Sequence, residues 1–280
     1  MKRSLISRLM GSGADDPMSK KVPMPSHAIW LHWGFGEQDL HTLEWDITFH
    51  SDPGDVVGQY FAPFNGYFGD ELTYGGIQTN VQHFEGHSLG KGAIFSTWWT
   101  FDERDARVEH PDGFYQLGTH EGKFLGVRRP FEWGVEHLRF SLTRSEHADP
   151  ERGGCWVECS VAKLSGGGTP DERPSVVGEP LAIGALRFLD KNGSPSTFGS
   201  SPLSFLEIYS DARTYGDIPD WHIDVMAYAN GTQARSLRTE YPAYPKVVPN
   251  TDAWYDEGTN RAHLRFGNQT VRSHDAATYF

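Results

Sequence analysis

Short runs in which apolar and polar side chains alternate, broken by glycine, proline and Asn-Gly pairs, recur along almost the whole of this 280-residue chain. No run keeps a helical period beyond a turn or two. Leu43, Trp45, Ile47 and Phe49 fall on one side of an extended segment and Glu44, Asp46, Thr48 and His50 on the other, before an SDPG turn. Leu138, Phe140 and Leu142 alternate with His137, Arg139 and Ser141 in the same way, and Ala262, Leu264 and Phe266 with Arg261, His263 and Arg265. A period of two is the mark of a half-buried strand. Further strands are predicted near 27–33, 92–99, 113–119, 123–128, 155–164, 181–189, 204–209 and 221–228, with hairpin turns at Asn192-Gly193, Asn230-Gly231 and Gly267-Asn268.

So many short strands with regular turn signals imply an all-β chain folded as an antiparallel β-sandwich, of the jelly-roll or concanavalin-like kind. The expected organisation is a flexible polar leader over 1–24 and one sandwich over 25–280. The polar run SGGGTPDERPSVVGEP at 165–180 is read as a long loop. The alternative is two packed sandwich halves divided there.

Charge narrows the partners. With 37 acidic against 25 basic residues the formal net charge is -12, and no basic block occurs, so nucleic acid and anionic membrane surfaces are excluded as partners. No apolar run approaches the ~20 residues that span a bilayer. The basic N-terminus lacks the apolar stretch of a secretory signal, so a cytoplasmic location is expected; a secreted chain already trimmed of its signal would look the same. Cys155 and Cys159 share a strand face roughly 13 Å apart, too far for a disulfide, and are expected to be free buried thiols.

The segment from Gln59 to Trp99 interleaves aromatic rings with side-chain amides, imidazoles and glycines at a density a plain core does not need. Flat apolar faces beside fixed hydrogen-bonding groups suit a polyhydroxylated or ring-shaped ligand. Asn65, Tyr67, Tyr74, Gln78, Asn80 and Trp98 are the candidate binding residues there, with turns between Asn65 and Asn80 expected to present them. Trp98 and Trp99 point opposite ways in a strand, so at most one lines a site.

The order of YFGDELTYGGIQTN (67–80), AIFSTWW (93–99), HEGKFLG (120–126), FEWG (131–134), LRFSL (138–142), IGALRF (183–188) and SFLEIYS (204–210) resembles a bacterial domain-of-unknown-function family, the one numbered 3472. The resemblance implies a β-sandwich like those of lectins and glycan-processing enzymes. Relatives tend to look secreted, from which this chain departs. It carries over no catalytic residue.

Three constellations could move protons. His120 and Glu121, followed by Trp133, place a carboxyl group beside aromatic surface. Phe205, Glu207 and Tyr209 share one face of a strand, and Glu207 converging with Glu121 would make the paired carboxylates of glycoside hydrolysis; a structural ion pair of Glu207 with Arg187 or Arg213 is the plainer alternative. His222, Asp224 and Tyr228 form a polar stripe that a solvated strand face explains as well. The 13 histidines are scattered, so no catalytic metal is expected. The acidic stretches 52–55, 102–105 and 252–257 could offer oxygen atoms to calcium but match no calcium-loop spacing. No cofactor is expected.

The expected function is a glycan-directed hydrolase or lyase, with Glu121, Glu207 and His120 as catalytic candidates. Asn65, Tyr67, Tyr74, Gln78, Asn80, Trp98, Trp133 and Tyr209 would be its binding residues, and the ligand a small molecule or glycan. Two alternatives stand beside it: a biosynthetic isomerase or cyclase closing an aromatic pocket around a hydrophobic small molecule, and a non-catalytic carbohydrate-binding module. An open groove favours the glycan readings and a closed apolar cavity the biosynthetic enzyme. Oligomeric state has no signal in the sequence.

Overall fold

Alternation in the sequence becomes two-facedness in space. Leu43, Trp45, Ile47 and Phe49 of the Thr42–Phe49 strand are buried, as are Leu138, Phe140 and Leu142 of the neighbouring His137–Arg144 strand. A computed structural model, describing residues 16–36, 39–83, 86–119, 122–166, 173–190, 196–243 and 246–279, shows two nine-stranded antiparallel sheets. The first runs Ala277–Thr278, Arg235–Glu240, Ser26–Gly34, Leu203–Ser210, Gly58–Phe68, Glu71–Gln78, Gly92–Thr97, Phe124–Pro130, Phe114–Gly118. The second runs Thr251–Asp256, Arg261–Phe266, Trp221–Ala229, Thr42–Phe49, His137–Arg144, Cys155–Ser165, Ser175–Phe188, Ala106–Arg107, with Thr232–Gln233 beside Trp221–Ala229.

The two inner faces close on one continuous apolar core, so the architecture is a β-sandwich. Aromatic rings from both sheets meet inside it: Trp45 lies 5.8 Å from Phe64, and Phe68 lies 4.9 Å from Phe188. Each such ring removes a large apolar area from water, worth about 2–3 kcal/mol apiece.

Several elements differ from the sequence reading. The Asn65–Asn80 stretch is no set of turns. It belongs to a long hairpin in which Gly58–Phe68 pairs with Glu71–Gln78 across a tight turn at Gly69 and Asp70. The acidic stretch at 252–257 is no loop and lies mostly in the strand Thr251–Asp256. Asn230 and Gly231, both at positive φ, turn the chain between Trp221–Ala229 and Thr232–Gln233 as the Asn-Gly pair predicts. Gly267-Asn268 opens no hairpin, because the Asn268 amide bonds the Ile218 carbonyl instead. Asn192-Gly193 lies outside the described residues. The leader expected to reach Met24 ends earlier, since Val22 is 1% exposed and its amide donates to the Arg213 carbonyl. The 165–180 run is not all loop: Ser165 ends the strand Cys155–Ser165 and residues 175–180 open the strand Ser175–Phe188, which pair with each other in one sheet, while 167–172 lie outside the described residues. Cys155 and Cys159 are buried free thiols, as expected, and burial raises the Cys155 thiol to about 11.

Candidate functional site

The outer face of the first sheet carries what the inner face excludes. Leu206 and Ile208 enter the core, so Phe205, Glu207 and Tyr209 point outward. Ile29, Leu31 and Trp33 are buried inside, while His27 faces out across a bulge between His27 and Ile29. Strand register then sets the outward residues in rows. His27 pairs with Glu207, Glu207 with Tyr60, and Tyr60 with Gln78, so an imidazole, a carboxylate, a phenol and an amide lie side by side on four neighbouring strands. Successive members sit roughly 5 Å apart, the spacing of adjacent strands. A second row runs Asn65, Tyr74, Ser96, Gly126, Gln116, and a third places Gly76, Ile94 and Arg128 next to one another.

These rows floor an open groove of about 780 Å³. Tyr60 meets Phe205 at 5.4 Å and Tyr74 at 6.1 Å edge to face, and Tyr74 leans on Trp98 at 4.7 Å with the ring planes 33° apart. His27 Nε2 lies 3.7 Å from Glu207 Oε1, and burial lowers the His27 pKa. Burial first, then the nearby Tyr74 and the Glu207 carboxylate, raises Tyr60 well above the ordinary phenol value, so it stays protonated at neutral pH. Tyr209 is raised by burial as well, and its hydroxyl donates to the Asn80 carbonyl.

One property sets this groove apart. Tyr60 Oη, Gln78 Oε1, Asn80 Oδ1, Gln116 Oε1 and Arg128 Nε are all shielded from water and have no hydrogen-bond partner among the described residues. Each such atom costs about 1–3 kcal/mol. Five gathered in one groove are the pattern of groups waiting for a ligand.

Of the sequence candidates, Glu207, Asn65, Tyr74, Gln78, Asn80, Trp98 and Tyr209 line the groove together. Two do not. Tyr67 is 55% exposed and outside the lining, because it falls beyond the groove near the hairpin turn. Trp133 is 3% exposed and stacks on Trp221 at 5.5 Å in the core, with the Lys91 ammonium 4.6 Å from its ring. His120 and Glu121 lie outside the described residues. Glu207 does not pair with Arg187, which binds Asp105 instead. Trp99 points away from Trp98, its indole donating to the Arg187 carbonyl.

Sequence reasoning missed His27, Tyr60, Gln116 and Arg128 as members of the site. For Arg128 a signal existed, since Leu125 and Val127 alternate inward and leave Gly126 and Arg128 outward. For His27 and Tyr60 the register with Glu207 was needed, which alternation alone does not supply.

The His222, Asp224 and Tyr228 stripe lies on the outer face of the second sheet, and it is more than solvated decoration. Asp224 accepts from His50 Nε2 at 2.8 Å, His263 Nδ1 at 2.7 Å and Arg265 at 3.2 Å. Burial opposes the Asp224 charge, but His263 and His50 hold its carboxyl well below the usual range. Trp254 stacks between His263 at 4.7 Å and His274 at 4.5 Å, and His274 bonds Asp252. Carboxylates of the acidic stretches 52–55 and 102–105 are likewise engaged: Asp52 with Lys91, and Asp102 and Asp105 with Arg104, Arg152 and Arg187. Among the described residues no three His, Cys, Asp or Glu side chains gather as a metal-ligand set. No helix among them is long and apolar enough to cross a membrane.

No protein-family model matches this chain, and no curated protein is similar to it in sequence. Among solved structures, scytalido-glutamic peptidase with a peptide-based transition state analog is similar at 9% identity and a TM-score of 0.41, over 85% of this chain and 98% of the peptidase. The same peptidase with a transition state analog inhibitor gives a TM-score of 0.40 at the same identity and coverage. A likeness of that degree assigns no chemistry here.

Proposed function

We propose that this chain is a glycan-directed enzyme, a hydrolase or lyase, working in the groove on the outer face of its first sheet. The observation that carries the reading is the row His27, Glu207, Tyr60, Gln78, set into an aromatic groove where five buried polar atoms lack partners among the described residues. Rings such as Tyr74 and Trp98 offer faces for sugar rings, while amide oxygens and hydroxyls meet sugar hydroxyls. Glu207, held by His27, is the base that takes a proton, and Tyr60, kept neutral by burial, is the acid that gives one. A groove lined by amides and phenols as well as rings suits a chain of sugars better than it suits a hydrophobic small molecule that must be enclosed.

The test is turnover on a panel of plant, algal and bacterial polysaccharides. Product release is expected from the native chain. Glu207→Gln and Tyr60→Phe should each lower it about 100- to 10,000-fold, the usual weight of a positioned acid or base, with binding retained. Affinity for a saccharide without product over long incubation would identify a binding module instead. Absence of affinity for every saccharide would overturn the reading.

A further inference from the structure

Arg128 differs from the other buried arginines among the described residues. Arg139 forks onto Asp46, Arg187 onto Asp105, and Arg129 and Arg144 donate to the carbonyls of Ala182 and Ser196. Among the described residues the Arg128 side chain has no hydrogen bond or ion pair, and its Nε is shielded from water. Its electrostatic neighbours are three phenols, those of Tyr74, Tyr209 and Tyr60, rather than a carboxylate. A guanidinium taken partly out of water without a counter-charge is costly, and proteins keep such a group where a ligand supplies the anion. Arg128 pairs with Ile94 across neighbouring strands, and both side chains line the groove.

The other unpartnered atoms narrow the anion further. Gln78, Asn80 and Gln116 present carbonyl oxygens, which ask for hydroxyl donors. Arg128 asks for an acceptor, and its planar fork matches a carboxylate in two parallel bonds. A molecule that carries one carboxylate among several hydroxyls, on rings that stack, is an acidic sugar. A neutral sugar would satisfy the amides and leave the guanidinium unpaired. In a chain of net charge -12, whose overall field repels anions, a local cation of this kind is what an acidic ligand needs.

We infer that the groove selects uronate-containing oligosaccharides, and that Arg128 is the specificity-determining residue that reads the uronate carboxylate. The inference rests on the groove being a glycan site, and it adds the class of sugar.

Calorimetric titration of the full chain with short oligogalacturonates and oligomannuronates, each beside its carboxyl-reduced counterpart, tests it. The native chain is expected to prefer the acidic form by about tenfold or more, the effect of one charge-assisted pair. Arg128→Gln should bring the acidic form down to the affinity of the reduced form, and Arg128→Lys should restore part of the preference. A melting temperature unchanged from the native chain shows that both variants fold. Equal affinity of the native chain for both forms, or a preference that survives Arg128→Gln, overturns this inference while leaving the glycan reading intact. Tighter binding of a sulfated oligosaccharide than of the uronates overturns the carboxylate assignment. No binding of either form, together with no turnover on the polysaccharide panel, removes both.

Discussion

Two tryptophans show what one residue type does in two places. Trp98 and Trp133 are equal candidates in the sequence, each next to a polar residue. In the structure Trp98 leans on Tyr74 at the groove wall, whereas Trp133 lies between Phe49 at 4.8 Å and Trp221 at 5.5 Å inside the sandwich. Trp98→Ala should weaken saccharide binding by about 1–3 kcal/mol, the weight of a stacked ring, and move the melting temperature little. Trp133→Ala should cost about 3–5 kcal/mol of stability by opening a cavity. Thermal melts alongside titration would separate them, and a binding loss on Trp133→Ala in a fully folded sample would put that ring back in the site. Alternation told which side chains share a parity. It did not tell which parity faces the other sheet, and Trp133 sits past the strand end where parity no longer applies.

The hairpin of Gly58–Phe68 and Glu71–Gln78 is the element that the sequence concealed. A Gly-Gly pair inside ELTYGGIQ looks like a turn, because glycine weakens a strand and supplies no side chain to pack. Here the pair is spent on close approach. A Cβ on Gly75 would come within 2.9 Å of the Phe140 ring from the opposite sheet, and one on Gly76 would meet the Phe61 carbonyl and the Ala62 backbone, where the partner strand is bulged. Gly76→Ala must therefore displace backbone, and about 2 kcal/mol of stability should be lost. Gly199→Ala, whose Cβ meets nothing closer than 3.6 Å, is the control and should melt like the native chain. Equal melting of the two variants would mean that the hairpin yields without strain. Most other strands were visible in their alternation, because half-burial writes itself into the sequence at a period of two. The site was not, because His27, Glu207 and Tyr60 come from three strands far apart in sequence, and only the strand order brings them into one row.

At the scale of the whole molecule the displaced histidines and aspartates act in one direction. Burial lowers His27, His137 and His222 from their ordinary value of 6.5, in His137 against a smaller opposing pull from Asp46. Asp52 and Asp224 also lie below their ordinary 3.8: burial opposes their charge, but Lys91 and the pair His263 and His50 outweigh it. In both classes the unfolded chain binds protons before the folded one. Stability must then fall as protons are added, first through the histidines and later through the carboxylates. Urea midpoints should hold steady from about pH 8 to about pH 7, decline between about pH 6.5 and about pH 5, and fall again below about pH 4. His137→Gln should flatten the upper decline and leave the lower one in place. A midpoint constant down to about pH 4, followed by one acid step, would show that the buried imidazoles take up protons without unfolding the chain.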